Sequence, residues 1–518
     1  MYYLSRITRH ASLICCWLLI VGCAEERRPN IIFIMSDDHA SKAISAYDTT
    51  LIHTPNIDRI AEEGIRFTNC FATNAICAPS RACILTGTYS HINGLIDNGA
   101  VFDSTLLTFP KLLQEAGYET AMIGKWHLKT QPMGFDYWNV LPGQGAYYNP
   151  DMIEMGKKSR HTGYVTDIIT DRALEWLKER DNERPFCLMM HHKAPHRNWM
   201  PRLDLANTFD SVLFPLPGNF HDDYSGRSDA AREQRMSIAE DMWLGYDLKI
   251  SKGPGMDEII EDGWLGEFNR MNEEQRALWN EAYRRKNDAF HAASPEGMAL
   301  TEWKYQRYMQ DYLATIVAVD ESVGQVLAFL KESGLADNTI LVYTSDQGFF
   351  LGEKGWFDKR FMYREAFQMP LLIKAPNMPN AKFQNDELIA NIDFAPTFLD
   401  LAGVAVPEHM QGRSFKDMLD GKPDAAWRDA VYYHYYEYPG IHDVKRHYGI
   451  RTQRYKLIHF YHDIDQWELY DLNEDPMEMD NLYGEEAYQD IVRKLKIRLQ
   501  ELRDFYKVPS VEEEFSFL

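Results

Sequence analysis

The sequence predicts an α/β fold with a large, mostly parallel sheet, followed by a smaller antiparallel sheet with a packed helix. Three observations predict it. Short, nearly continuous apolar runs stop at polar clusters, as strands buried on both faces do. Helical patterns lie between those runs, the alternation of a parallel sheet flanked by helices. Beyond residue 407, aromatic alternating runs precede one more helical segment, which suits a small sheet with one covered face.

In chain order, the first segment is for targeting. Arg6 and Arg9 precede an apolar run, Ala11 to Val21, that is short for a bilayer span and ends in Ile20-Val21-Gly22-Cys23. The ending resembles a bacterial lipobox, with Cys23 as the acylated first residue of the mature chain; a plain secretory signal is the alternative. Both imply export, to the periplasm or the cell surface of a bacterium. No later stretch reads as long and apolar enough to cross a membrane.

Asn30 to Met35 (NIIFIM) reads as the first strand and stops at Ser36-Asp37-Asp38-His39. Glu119 to Ile123 leads into Gly124-Lys125-Trp126-His127, where Lys125 and His127 would share one side of an extended segment. Phe186 to Met190 (FCLMM) leads into His191-His192-Lys193-Ala194-Pro195-His196, and Ile340 to Thr344 (ILVYT) into Ser345-Asp346-Gln347-Gly348. Ligands of open α/β sheets bind beyond the carboxyl ends of such strands. Helices are expected over Leu106 to Ala116, Tyr164 to Arg180 and Tyr312 to Lys331. Asp222 to Ala293 reads as a charged helical insertion, a solvated surface excursion. After Gly403, Val404 to Pro407 reads as a link; alternating runs follow at Ala430 to Tyr438 and Tyr455 to Tyr461, then a helix from Glu485 to Tyr506.

Composition bounds the function. With 518 residues, 45% hydrophobic and 25% charged, the chain holds a large core. A net charge of -22 argues against nucleic-acid binding, which needs a basic face. The same field repels an anionic ligand, so any such ligand needs a local cluster of cations or a metal. Seven cysteines, three of them at or before residue 23, are too few for a disulfide framework. A Cys70–Cys83 bridge remains open.

Cys77-Ala-Pro-Ser-Arg81-Ala-Cys-Ile-Leu-Thr-Gly87 carries the most chemistry. Pro79 and Ser80 suit a first helical turn, which places Cys77 at a helix N-terminus, with Arg81 one turn in. A buried structural cysteine is the plain alternative. Asp37, Asp38, Asp346 and Gln347 are hard oxygen donors suited to Ca²⁺, although Asp-Asp after a strand also serves as a turn or cap. Lys125 and His127 read equally as a surface lysine and a core histidine.

The whole string from Cys77 to Gly87 resembles the signature of the formylglycine-dependent (type I) sulfatases, in which this cysteine becomes Cα-formylglycine. GKWH, the histidine of APH at His196, and Lys359 within Trp356-Phe357-Asp358-Lys359-Arg360 are similar to further elements of that family. The resemblance implies an alkaline-phosphatase-like fold and sulfate-ester hydrolysis with Ca²⁺. Asp37, Asp38, Asp346, Gln347 and the converted Cys77 would be the metal ligands, with Gln347 standing where the family usually has Asn. Arg81, Lys125 and Lys359 would hold the sulfate, His127 would bond the formylglycine hydroxyl, and His196 would protonate the leaving alcohol. The implied partners are a sulfated oligosaccharide, a formylglycine maturation enzyme, and the membrane through the lipid alone.

Stretches 191–201, 356–365 and 434–452 look like the bacterial subgroup that includes N-acetylglucosamine-6-O-sulfatases acting on glycosaminoglycan or mucin fragments. Asp358 and Arg360 are then candidate sugar contacts, with a surface ion pair as the alternative. Glu437, His442, Arg446 and His447 are further candidates, of which one or two would touch substrate. Rival expectations are 2-O or 4-O regiochemistry, a phospho- or phosphonate hydrolase, and a non-catalytic glycan-binding lipoprotein. The expected division is a signal peptide 1–22, a tether 23–29, a catalytic domain 30–405 with its insertion at 222–293, and a C-terminal α+β subdomain 406–518.

Overall fold

The computed structural model describes residues 27–378, 383–422 and 425–511. The signal segment and Cys23 lie outside the described residues. The Asn30–Ser36 strand is near the centre of an 11-stranded sheet, paired in parallel with Phe186–His191 on one side and Thr339–Ser345 on the other. Glu119–Lys125 and then Tyr137–Leu141 continue in parallel beyond Phe186–His191. Antiparallel strands extend both flanks, Gln368–Lys374 and Asp151–Glu154 first. The sheet is therefore mixed, with a parallel centre.

The apolar runs lack alternation because each face has its own core. Ile31, Phe33 and Met35 enter one cluster, Ile32 and Ile34 the other. Cys187 and Met189 divide from Leu188 and Met190 in the same way, as do Ile340 and Val342 from Leu341 and Tyr343. Each such large side chain contributes about 1.5–3 kcal/mol on burial, so these strands form a firm base for the polar residues at their ends. Helices Pro55–Glu62, Val165–Glu179 and Gly297–Glu332 cover one face; Cys77–Thr86, Phe109–Glu115 and Phe394–Leu401 cover the other.

Three sequence expectations change. The helix expected from Tyr312 starts at Gly297 and runs 36 residues; by length and composition it could cross a membrane, but 67% of its apolar window is buried inside the fold, as in a core helix. The insertion is mostly irregular before Asn272, where Asp229–Glu233 makes one short α-helix, and its long helix is Glu273–Ala293. It is also packed rather than solvated. Ile238, Met242, Leu248 and Ile250 have no helical period yet lie in one buried cluster with Tyr305, Tyr308 and Tyr312. Finally, Cys70 and Cys83 are both free and buried.

The second sheet pairs Ala430–Tyr435, His447–Thr452, Tyr455–Phe460 and Gln466–Asp471 antiparallel in sequence order, with Gln489–Phe505 packed on it. It is tied to the first sheet beside Cys77: Tyr433 Oη accepts from the Ala75 amide at 3.3 Å, and Thr73 O accepts from the His434 amide at 3.1 Å.

Candidate active site

The polar ends of the parallel strands meet as the topology requires. Asp37 and Asp38 follow Asn30–Ser36, Asp346 and Gln347 follow Thr339–Ser345, and Lys125 ends Glu119–Lys125. His196 comes from the loop after Phe186–His191. All of these except His196 are fully buried, and the His196 side chain is 15% exposed. Gly124 makes the arrangement possible. Its φ is +104°, and a Cβ there would lie 1.9 Å from His191 O, so only glycine lets the lysine strand approach its neighbour.

Cys77 opens the helix Cys77–Thr86, all of whose residues are buried. Gly87 ends it in the left-handed conformation, its amide bonded to Cys83 O at 2.9 Å. Ile76 supplies no side-chain cap; Asn98 Oδ1 accepts from the Ala78 amide at 3.0 Å instead, and Pro79 has no N–H to satisfy. Burial pushes the Cys77 thiol up to about 12, and the group is protonated at neutral pH. As a thiol it is a poor nucleophile.

One oxygen each from Asp37, Asp38 and Asp346 lies within 4.8 Å of the others, and Asp37, Cys77 and His196 form a second such group. Burial pushes Asp38 up to about 7; Lys359 opposes that shift, while Asp346 and Asp358 add to it. Burial would raise Asp346 as well, but Arg81, Lys125 and Lys359 outweigh it and hold the group below its ordinary value. Asp37 Oδ1 and Gln347 Oε1 are buried without a hydrogen-bond partner, an uncommon state for buried oxygens. Three clustered carboxylates fit a hard divalent cation such as Ca²⁺, with Asp37, Asp38 and Asp346 as its holders; Gln347 donates its Nε2 to Asp38 Oδ1, so its amide oxygen would join them only after the amide turns over.

Three cations balance the three carboxylates. Lys125 Nζ contacts Asp37 Oδ2, Lys359 Nζ bonds both Asp38 oxygens at 2.5 and 2.7 Å, and Arg81 bonds Asp346. A divalent ion added to this balance leaves a surplus of positive charge, as an anionic substrate requires. Thus the overall charge of the chain is overridden locally.

His127 departs from the expected extended geometry, with a φ of +57°. Burial, together with Lys125 and Arg81, pushes its imidazole down to about 2, and Nδ1 has no partner. At His196, Nδ1 sits 2.6 Å from Arg197 O. A donated Nδ1–H there leaves Nε2, 3.8 Å from Asp38 Oδ2, turned to the site. Burial and then Lys125, Lys359 and Lys193 hold this histidine well below its ordinary value. His191 and His192 are structural: His191 packs against Lys125 O and Arg81, and His192 Nε2 bonds Ser322 at 3.2 Å.

The outer residues divide. Asp358 and Arg360 are buried with φ of +77° and +90°, strained for non-glycine residues. His442 Nε2 reaches Asp358 Oδ2 at 3.2 Å. Glu437 accepts from the Asn98 amide at 3.1 Å and faces Arg360 at 4.0 Å. His447 does not belong here. It is fully buried, with Nε2 accepting from the Met362 amide at 3.0 Å and Nδ1 bonded to Lys445 O at 2.8 Å; an imidazole with both nitrogens used inside the fold has none for a sugar. Arg446 is likewise engaged, with Asp463 and Tyr436 O. Sequence reasoning missed Gln144, whose Oε1 accepts from Lys125 Nζ at 2.5 Å.

Residues 29–404 match the family model described as Sulfatase, and residues 352–505 that of N-sulphoglucosamine sulphohydrolase, C-terminal. The chain belongs to the sulfatase family. It is a sulfuric ester hydrolase by that membership. It is similar to the N-acetylglucosamine-6-O-sulfatase of Bacteroides thetaiotaomicron, 52% identical over 97% of this chain and 92% of that protein. The human N-acetylglucosamine-6-sulfatase is 27% identical over 81% of this chain and 70% of its own length. Among solved structures, BT4656 in complex with its substrate D-glucosamine-2-N,6-O-disulfate superposes with a TM-score of 0.91 at 53% identity, covering 93% of this chain and 99% of that one. A phosphonate monoester hydrolase of Agrobacterium radiobacter, at 21% identity and TM-score 0.69 over 92% and 96%, shares the alkaline-phosphatase-like fold alone.

Proposed function

We propose that this sulfatase removes the 6-O-sulfate of N-acetylglucosamine, or of N-sulfated glucosamine, from glycosaminoglycan or mucin fragments. The observation that carries the reading is the 52% identity, over 97% of the chain, to a protein named for that activity. The bound substrate named for the neighbour at TM-score 0.91 supports the same sulfate position. The 2-O and phosphonate neighbours are only 21% identical and support the fold, not their chemistries.

Cys77 is the residue proposed for conversion to Cα-formylglycine by a maturation enzyme. Its buried, protonated thiol between Lys359, Asp346, Asp38 and Arg81 supports a role for another group at that position. Formylglycine, when hydrated, supplies an oxygen nucleophile, and Ca²⁺ supplies charge to a sulfate oxygen. The remaining work belongs to the chain. Lys125, Lys359 and Arg81 hold the negative oxygens of the sulfate as charge shifts among them, and they do so in a dry site where each cation counts for more. His196 delivers a proton from Nε2 to the departing sugar oxygen. Burial first, and then three lysines, keep this imidazole neutral; the sulfate's own negative charge offsets the lysines. Asp358 and Arg360, paired with each other, are the proposed contacts to sugar hydroxyls, and His442, bonded to both Asp358 and Arg235 O, holds Asp358 in place. Through Cys23 and the segment before it, the protein is proposed to be an exported lipoprotein.

The test is sulfate release from 6-O-sulfated N-acetylglucosamine and from its 3-O and 4-O isomers, with peptide mass spectrometry across Cys77. Release from the 6-O isomer alone by aldehyde-bearing protein is expected. Release from another isomer in preference would overturn the regiochemistry, and activity with an intact thiol would overturn the role of Cys77.

A further inference from the structure

The loop Pro142-Gly143-Gln144-Gly145 follows the strand Tyr137–Leu141, and its two glycines have φ of +56° and +71°. At Gly145 the φ of +71° favours glycine, and a Cβ would lie 2.7 Å from Leu141 Cδ1, so a side chain there would strain the turn and displace Leu141. The turn aims one side chain. Gln144 Oε1 accepts from Lys125 Nζ at 2.5 Å, giving that lysine a neutral partner beside Asp37.

The loop is held from two directions. Downstream, Tyr147 donates its hydroxyl to His196 O at 2.5 Å, so one short segment reaches both Lys125 and the backbone of His196. From outside, the insertion contributes Glu267, 3% exposed, on the turn Leu265–Arg270. Its carboxylate accepts from the Tyr147 amide at 3.4 Å and pairs with Lys193 Nζ at 3.5 Å. Lys193, fully buried, lies over the Tyr147 ring at 4.7 Å and bonds Gln144 O at 3.4 Å. Breaking a buried ion pair leaves an uncompensated charge, so Glu267 and Lys193 hold each other in place. The geometry they fix is that of the Gln144 loop.

We propose that Gln144 is a positioning residue for the sulfate-binding ammonium of Lys125, and that the Glu267–Lys193 pair locks Gln144 in place. The inference rests on the reading of Lys125 as a sulfate contact. An ammonium has three donors on a flexible stem; Asp37 and Gln144 take two and direct the third toward the substrate oxygen. The amide carries no net charge, so it orients the lysine without competing for it as a second carboxylate would. The insertion thereby becomes part of the catalytic machinery rather than a cover over it.

The test compares Gln144→Ala, Gln144→Glu, Glu267→Gln and Lys125→Ala in the converted, Ca²⁺-loaded enzyme. The readouts are kcat and KM on a 6-O-sulfated monosaccharide, and the affinity for inorganic sulfate by calorimetry. Positioning of a group that binds sulfate before and during reaction predicts a KM raised about tenfold in Gln144→Ala with kcat within about twofold. Sulfate affinity should fall by the same factor, with no change in Ca²⁺ affinity. Gln144→Glu keeps the size and the acceptor but adds an anion, and should weaken sulfate more than alanine does. Glu267→Gln should show a smaller loss in the same direction. Unchanged KM and sulfate affinity in both Gln144 variants, with Lys125→Ala inactive, would overturn the positioning role. Full activity in Lys125→Ala would instead overturn the reading on which it rests.

Discussion

Arg81 grips one oxygen of Asp346 with two nitrogens, Nε at 3.1 Å and Nη2 at 2.9 Å from Oδ2, while its Nη1 bonds Lys125 O at 2.7 Å. One planar fork thus joins the cysteine helix to the ends of two parallel strands. Lysine keeps the charge but cannot make three bonds in one plane. Arg81→Lys is therefore expected to lower kcat/KM on a 6-O-sulfated substrate by about a hundredfold. Arg81→Ala leaves a buried carboxylate unpaired, and its loss of stability, about 3–5 kcal/mol, should be plain in a urea titration.

Cys77→Ala removes the reacting position and little else, since the helix is held by residues all along its length. Sulfate release should fall to background while inorganic sulfate still binds. Loss of sulfate binding together with release would show that the side chain at 77 holds the anion as well.

Chelation should lower the melting temperature, because Asp37, Asp38 and Asp346 lose a common counter-charge. Calcium at about a hundred times its Kd should restore about 2.7 kcal/mol. Gln347→Leu removes one oxygen donor and should shift the calcium titration to higher concentration, with the aspartate sites otherwise intact. An unchanged titration would exclude Gln347 from the ligand set.

His442 comes from the segment between the first two strands of the small sheet and touches Asp358, not the sulfate-binding groups. His442→Ala is expected to raise KM for the 6-O-sulfated sugar while leaving a small aryl sulfate turned over as before. An equal loss on both substrates would make the histidine structural.

Burial pushes both His192 and His447 down to about 3. In the unfolded chain they take up protons near pH 6.5. The folded pKa is the lower one, so this stability is complete above pH 6.5 and is lost as pH falls toward 3. Each contributes a slope of about 1.4 kcal/mol per pH unit in that window. Urea titrations of His447→Gln between pH 6.5 and 4 should show a slope shallower by that amount.

What the sequence revealed follows from what each residue needs of its neighbours. Asn30 to Met35 read as a two-faced strand, because a run of five apolar residues rich in isoleucine and stopped by a polar cluster is short for a buried helix. Its abrupt change to Asp37 and Asp38 marked the site. Arg81 was legible because its place one turn after Cys77 is local geometry. Gln144 was not, for it acts through a turn whose aim depends on how Tyr137–Leu141 sits beside Glu119–Lys125. His447 misled for the opposite reason. A histidine among aromatic residues in that stretch reads as a ligand contact, but His447 lies buried where the small sheet packs on Phe361 and Met362. The insertion misled because its charges are conspicuous in sequence, whereas Glu267 and Lys249 are paired and buried.

Cys70, Cys77, Cys83 and Cys187 are all buried and all unbridged. Folded, none of these four offers an exposed thiol to a labelling reagent. Denatured, these four positions display four thiols with Cys77 unconverted, and three where Cys77 is converted to formylglycine as proposed. The extent of maturation of a preparation is thus written in its colorimetric thiol count, readable without substrate and without any assay of turnover.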